Sequence, residues 1–146
     1  YVVKKNIIKG IRIERNGTCS CGKVKFCVQG EPINAVFCYC KECQVATGSD
    51  RFYGVWFKPN QFTLIQGNLK EFNRNSDSGG EVTFKFCESC GTTVCGDSTC
   101  GIVTVAGATL DNTNGIEPKM AIFTKSAPKW ALLPTDIPCF ETDQID

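Results

Sequence analysis

The sequence predicts an all-β domain, mainly strand with little helix, and three features carry that expectation. Apolar and polar residues alternate in many short stretches, turn-forming residues separate those stretches, and no long helical period appears. Tightly clustered cysteines, in addition, mark points where such strands would be fastened together.

Taken in order, Ile11 and Ile13 alternate with Arg12 and Glu14 as a first strand, and Asn16-Gly17 reads as a tight turn. Cys19-Ser20-Cys21-Gly22 then leads into a strand over 23–28. There Val24, Phe26 and Val28 share one face, with Lys23, Lys25 and Cys27 on the other. Gly30-Glu31-Pro32 turns the chain, and residues 33–37 carry it into Cys38-Tyr39-Cys40-Lys41-Glu42-Cys43. Residues 44–48 fit one short helical turn. An aromatic-rich strand over 51–57 ends at Pro59-Asn60, and Gly67-Asn68 reads as the turn of a hairpin between 62–65 and 69–72.

Residues 73–80, polar and ending in two glycines, are the most loop-like stretch and are expected to be mobile. Val82, Phe84 and Phe86 alternate up to Cys87-Glu88-Ser89-Cys90-Gly91, after which Thr93-Val94-Cys95 leaves as a strand. Further strands are expected over 102–106 and 120–123, separated by a turn-rich segment at 110–115. No linker divides the chain, so residues 11–146 are expected to form one domain behind an N-terminal arm or edge strand at 1–10.

Composition narrows the class. A chain of 146 residues can bury a real core without metals to hold it compact, and 42% hydrophobic with 21% charged residues is ordinary for a globular protein. No apolar run is long enough to suggest a membrane span, and Tyr1-Val2-Val3-Lys4-Lys5 lacks the apolar stretch of a secretory signal. The chain opens on Tyr rather than Met, so its natural start is expected upstream. Eleven cysteines cannot all pair within one chain, and seven of them form Cys-x-Cys, Cys-x-Cys-x-x-Cys and Cys-x-x-Cys groups. Such spacing suits metal chelation in a reducing compartment, the cytoplasm, better than a secreted disulfide scaffold. There is no histidine, so any metal is held by sulfur or by sulfur and carboxylate. Seven thiolates and two Zn²⁺ would turn the formal charge of +1 into about −2, which lacks the footprint of a nucleic-acid binder.

Cys21 and Cys90 are each followed by glycine and then by a strand, so Cys19, Cys21, Cys87 and Cys90 read as two halves of one closed structural zinc site. One ion for each adjacent pair is the alternative. Cys38, Cys40 and Cys43 are followed by Gln44 and have no matching half, so they would leave Zn²⁺ one exchangeable position. A remote Cys27, Cys95, Cys100 or Cys139 would close that shell if it were structural, and Cys95 with Cys100 is a further possible pair. Three thiolates weaken zinc as a Lewis acid. The chemistry that fits is capture of an incoming thiol as thiolate, followed by addition to or release from an electrophilic carbon. A variant of this reading lets the metal leave and a cysteine sulfur itself react.

Gly17-Thr18-Cys19-Ser20-Cys21-Gly22, Cys38-x-Cys40-x-x-Cys43-Gln44 with Thr47-Gly48, and Phe86-Cys87-x-x-Cys90-Gly91-Thr92 resemble the glutathione-dependent formaldehyde-activating enzyme family. That family shares its domain with centromere protein V and adopts the Mss4-like zinc-containing β fold of several small antiparallel sheets. Gly107-Ala108-Thr109-Leu110-Asp111, Pro118, Trp130, Leu133 and Pro138-Cys139-Phe140 extend the resemblance over about residues 11–141. It implies structural zinc on Cys19, Cys21, Cys87 and Cys90 and catalytic zinc on Cys38, Cys40 and Cys43. It also implies a carbon–sulfur lyase with glutathione as co-substrate, forming S-hydroxymethylglutathione from formaldehyde and that thiol. Two departures are Tyr39, where family members often carry histidine, and Pro128-Lys129-Trp130 in place of a Pro-Trp pair.

The alternative is a non-catalytic zinc-binding module that binds glutathione or a protein partner, since a fold does not fix a function. Thr47, Gly48 and Ser49 are the candidates for substrate contact, while Phe52, Tyr53, Trp56 and Phe57 are expected mainly in the core. Lys23 and Lys25 read as a solvated strand face. The expected partners are a small-molecule thiol and an aldehyde, with neither nucleic acid nor membrane.

Overall fold

The computed structural model describes residues 13–76 and 79–143, so the expected N-terminal arm, Ile11, Arg12, Asp77 and Ser78 lie outside the described residues. The described chain is mostly β, as the sequence predicts. Its strands are β1 (Glu14–Thr18), β2 (Lys25–Gln29), β3 (Asn34–Cys38), β4 (Phe52–Phe57) and β5 (Phe62–Gln66), then β6 (Leu69–Asn75), β7 (Glu81–Cys87), β8 (Thr93–Ser98), β9 (Val103–Ala106) and β10 (Met120–Ile122). One helix of seven residues, α1 (Lys41–Thr47), interrupts them. The strands form a three-stranded sheet, β1-β2-β5, and a seven-stranded sheet, β10-β3-β4-β9-β8-β7-β6. Pairing is antiparallel except between β10 and β3, which run parallel.

β2 is the central strand of its sheet, paired along both edges, and Cys27 is buried along with Phe26 and Val28. The main core fills the space between the sheets. Val24, Phe26 and Val28 from the smaller sheet meet Val55, Phe57, Val94, Val103 and Val105 from the larger. Phe26 also stacks on Phe62 at 5.2 Å. Each such side chain, fully removed from water, contributes roughly 1.5–3 kcal/mol before entropy is counted.

Four sequence expectations need correction. Asn16-Gly17 lies inside β1, where Gly17 pairs with Phe26 of β2. A Cβ on Gly17 would fall within the Phe26 ring, so the glycine is a packing slot and the true turn is the cysteine loop that follows it. Gly67-Asn68 closes no hairpin either, because β5 pairs with β2 while β6 pairs with β7. Here the chain crosses between sheets, pinned by Gln66 Nε2 donating to the Lys23 carbonyl at 3.1 Å and Asn68 Nδ2 donating to Glu88 Oε2 at 3.1 Å. The loop expected over 73–80 shortens, since β6 runs to Asn75 on ladder bonds with β7. The short helix starts earlier than expected, at Lys41, because the Cys40 sulfur caps it by accepting from the Cys43 amide at 3.3 Å.

The period of two decides what the larger sheet presents. Tyr53, Val55 and Phe57 turn toward the core, while Phe52, Gly54 and Trp56 turn to the opposite face. On that second face Trp56 pairs with Thr104, Thr104 with Gly96, and Gly96 with Phe84. Small residues therefore floor a trough walled by aromatic rings.

The Gly17 slot yields a stability prediction. Gly17→Val forces a side chain into the space of the Phe26 ring and should cost about 1–3 kcal/mol. Chemical denaturation measures it, and an unchanged midpoint would contradict the packing described.

Candidate metal centres

Seven cysteine sulfurs gather into two groups, and within each group the sulfurs lie within 4.8 Å of one another. The outer group is Cys19, Cys21, Cys87 and Cys90; the other is Cys38, Cys40 and Cys43. All eleven cysteines are free thiols, so no disulfide scaffold and no Cys95–Cys100 pair is present.

The outer group is built from two matching turns. In the first, the Cys19 amide donates to the Val24 carbonyl at 3.1 Å and the Gly22 amide to the Cys19 carbonyl at 3.1 Å. In the second, the Cys87 amide donates to the Thr92 carbonyl at 2.9 Å and the Gly91 amide to the Cys87 carbonyl at 2.9 Å. Gly22 at φ 82° and Gly91 at φ 77° occupy the left-handed region with nothing near a would-be Cβ, so backbone conformation, not space, selects glycine. Each turn aims amides at sulfur, Val24 N–H to Cys19 Sγ and Ser89 N–H to Cys87 Sγ, both at 3.3 Å. The Ser20 amide reaches across to the Thr92 hydroxyl at 3.1 Å and joins the two turns. Hydrogen bonds from the Thr92 hydroxyl and amide pull the Cys90 thiol down to about 5, toward the thiolate a metal needs. Four converging sulfurs with amide support fit a closed tetrahedral zinc shell.

The three-cysteine group is made where β3 meets α1. Cys38 ends β3, Cys40 caps the helix, and Cys43 sits in its first turn. Gln44 fixes the turn by donating from Nε2 to the carbonyls of Tyr39 and Ser126, both at 2.9 Å. Hydrogen bonds from Cys38 and then Cys43, aided by the amide of Cys43 and the charge of Arg74, hold the Cys40 thiol far below its ordinary value. Its neighbours move the other way. Cys38 is pushed up to about 12 by its hydrogen bond with Cys40, and Cys43 is raised by both sulfurs and by burial. The group thus favours a single thiolate shared among three sulfurs.

All three of these cysteines line a cavity of about 390 Å³ on the trough face of the seven-stranded sheet. Its walls include Phe52, Trp56, Phe84 and Phe123, and its floor includes Gly54 and Gly96. Among the described residues no fourth cysteine or carboxylate joins the group, which leaves its open side facing the cavity. Cys27 and Cys95 are buried in the protein interior, and Cys139 donates to the Pro134 carbonyl. Cys100 lines the cavity and contacts Ser98 Oγ at 2.9 Å. A thiophilic ion fits three sulfurs with one exchangeable position here.

The cavity does not include Thr47, Gly48 or Ser49. The Thr47 hydroxyl donates to the carbonyls of Cys43 and Arg51, Gly48 is the left-handed residue ending α1, and the Ser49 hydroxyl donates to the Arg51 carbonyl. These residues serve the turn after the helix. Phe52 and Trp56 line the cavity, whereas Phe57 is buried core and Tyr53 donates its hydroxyl to the Ile116 carbonyl at 2.7 Å. Tyr39 is fully buried, with its hydroxyl accepting from Arg51 Nη1 at 3.0 Å, and faces away from the cavity. Trp130 is 71% exposed and lines no part of it.

Arg74 and Phe84 were not singled out from the sequence as site residues. Glycines in strands were the available signal for this face, since Gly54 and Gly96 mark places where a ligand can approach the backbone closely.

Two outcomes are expected. The zinc content of about two ions per chain should fall to about one in Cys40→Ser, with the melting temperature largely kept, whereas Cys87→Ser should lose its ion together with several degrees of stability. Equal destabilisation by both substitutions would contradict the separation of the two groups. Because Cys40 is already proton-poor, loading the three-cysteine group near pH 7 should release about two protons, not three. Calorimetry in buffers of different ionisation enthalpy, with the outer group preloaded, measures this number.

The family of glutathione-dependent formaldehyde-activating enzymes matches the chain over residues 14–126. A crystal structure of a Rhodobacter sphaeroides protein from structural genomics is similar in fold, with a TM-score of 0.55 at 20% identity over 85% of this chain and 98% of that one. No curated protein sequence matches the chain. The family match spans both turns of the outer group and the whole three-cysteine group, and the chain belongs to the glutathione-dependent formaldehyde-activating enzyme family.

Proposed function

We propose that the protein is a zinc-dependent carbon–sulfur lyase that joins formaldehyde to the thiol of glutathione and releases them in reverse. The observation that supports this most is the unequal pair of sulfur groups. Four sulfurs converge on one another, while three open into a cavity large enough for a small thiol. When bound there, zinc would supply an exchangeable position at which a substrate sulfur is kept as thiolate.

The chain's own residues do the rest. Cys38, Cys40 and Cys43 fix where the substrate sulfur enters, and Gln44 holds their turn rigid through two carbonyls. Phe52, Trp56 and Phe84 give the reactants apolar walls that limit water. In the forward step the sulfur bonds to the aldehyde carbon, the carbonyl π pair moves to oxygen, and the oxygen takes up a proton. With no histidine in the chain, a cavity carboxylate handles that proton. Asp97 is held by Lys85 at 2.7 Å, and the other carboxylates that line the cavity, Glu81 and Asp143, are the groups assigned to take the thiol proton and return it to the new hydroxyl. Holding both reactants in one cavity supplies acceleration by orientation. The reaction suits the cytoplasm, where glutathione stays reduced. Among the described residues, no helix is long and apolar enough to cross a membrane.

Cys38→Ser tests the assignment. Exchange between formaldehyde and glutathione, followed by NMR, should fall to the uncatalysed rate while circular dichroism and one bound zinc persist. An unchanged rate in this variant would sink the catalytic role of the group. A wild type no faster than buffer would favour a binding module instead.

A further inference from the structure

We infer that Arg74 is a carboxylate-binding subsite beside the three-cysteine group, which makes the site selective for thiols that carry a carboxylate. This rests on the reading that a substrate thiol enters that group. Several observations converge on it.

Arg74 lies on β6, at the edge of the larger sheet farthest from β10 and β3. Even so, its Nε comes within 4.0 Å of Glu42 Oε1, in the first turn of α1 between Cys40 and Cys43. The sheet therefore curls until its far edge reaches the helix that carries the sulfurs. Arg74 and those three cysteines consequently line one cavity, and no other lysine or arginine among the described residues lines it.

The guanidinium is also prepared for a ligand. Its side chain is only 11% exposed, and it lies 5.1 Å from the centroid of the Phe84 ring, which fixes its plane. Nη1 donates to the Asn75 carbonyl at 3.1 Å, whereas Nε is buried and makes no hydrogen bond. Glu42 at 4.0 Å is beyond hydrogen-bond reach, and its own side chain is 46% exposed. A buried guanidinium with an unused donor is costly to keep, and a carboxylate matches its fork of donors better than any uncharged group. Apart from the cysteines, the other ionisable groups that line the cavity are the acids Glu81, Asp97 and Asp143, with Asp97 paired to Lys85. Among the described residues Arg74 is therefore the cation of the lining on which a substrate anion can settle.

The test uses protein loaded with Co²⁺, whose visible absorption reports sulfur entry at the three-cysteine group. The probes are 3-mercaptopropionate and its uncharged amide. Wild type should bind the acid about tenfold more tightly than the amide, and Arg74→Gln should erase most of that preference. Glu42→Gln removes the competing carboxylate and should strengthen acid binding or leave it unchanged. If Arg74 merely braces β6 against α1, Arg74→Gln and Glu42→Gln would both weaken acid and amide alike, and the subsite would be overturned. Equal binding of the two probes by the wild type would overturn it as well. If neither thiol perturbs the cobalt spectrum, the thiol-capture reading itself fails.

Discussion

The rest of the structure depends on the meeting of two turns, one from each sheet, at four sulfurs. Cys19 and Cys21 sit in the connection from β1 to β2, while Cys87 and Cys90 sit in the connection from β7 to β8. Their convergence fixes how the three-stranded sheet lies over the seven-stranded one. That placement in turn buries Phe26 and Val28 against Val55 and Val105. Gly22 and Gly91 supply the positive φ that each turn needs, and the amides of Val24 and Ser89 support the sulfur charge. A metal bound there would act as a crosslink between segments distant in sequence, stabilising the fold by binding only its assembled form.

With the sheets fastened from one side, the other face of the larger sheet is left to curl into a cavity. Its floor includes Gly54 of β4 and the pair Gly96 and Thr104, which are in register across β8 and β9. One end of the sheet delivers Cys38 directly from β3, and the other brings Arg74 round to the same helix. The two sulfur groups thereby stand apart, one in the turns that join the sheets and the other at the cavity. Cys40 serves twice within its group, as helix cap and as the sulfur that most favours the thiolate form.

Much of this was legible in the sequence because cysteine spacing and glycine placement are local signals. Cys21-Gly22 and Cys90-Gly91 announced matching turns, and alternation in 82–86 announced β7. What the sequence concealed was long-range pairing. Gly67-Asn68 has hairpin chemistry, yet its flanking strands find partners in different sheets, since β2 and β7 each present an open edge to them. Asn16-Gly17 likewise carries a turn signal, but Phe26 on the neighbouring strand needs the empty space above Gly17. Arg74 was hidden inside a polar stretch whose first residues prolong β6, so its approach to Glu42 appears only once the sheet has curled. Thr47, Gly48 and Ser49 follow the cysteines closely in sequence, but the helix turns them away from the cavity and into its own terminus.

The central claim is that one sulfur group is complete and the other is one ligand short. X-ray absorption at the zinc edge counts this directly as an average over both ions. The account predicts about 3.5 sulfurs per zinc in the absence of thiol, with a lighter atom making up the remainder, rising to about 4 when glutathione is added. A value of 4 sulfurs before any thiol is added, unchanged afterwards, would contradict it.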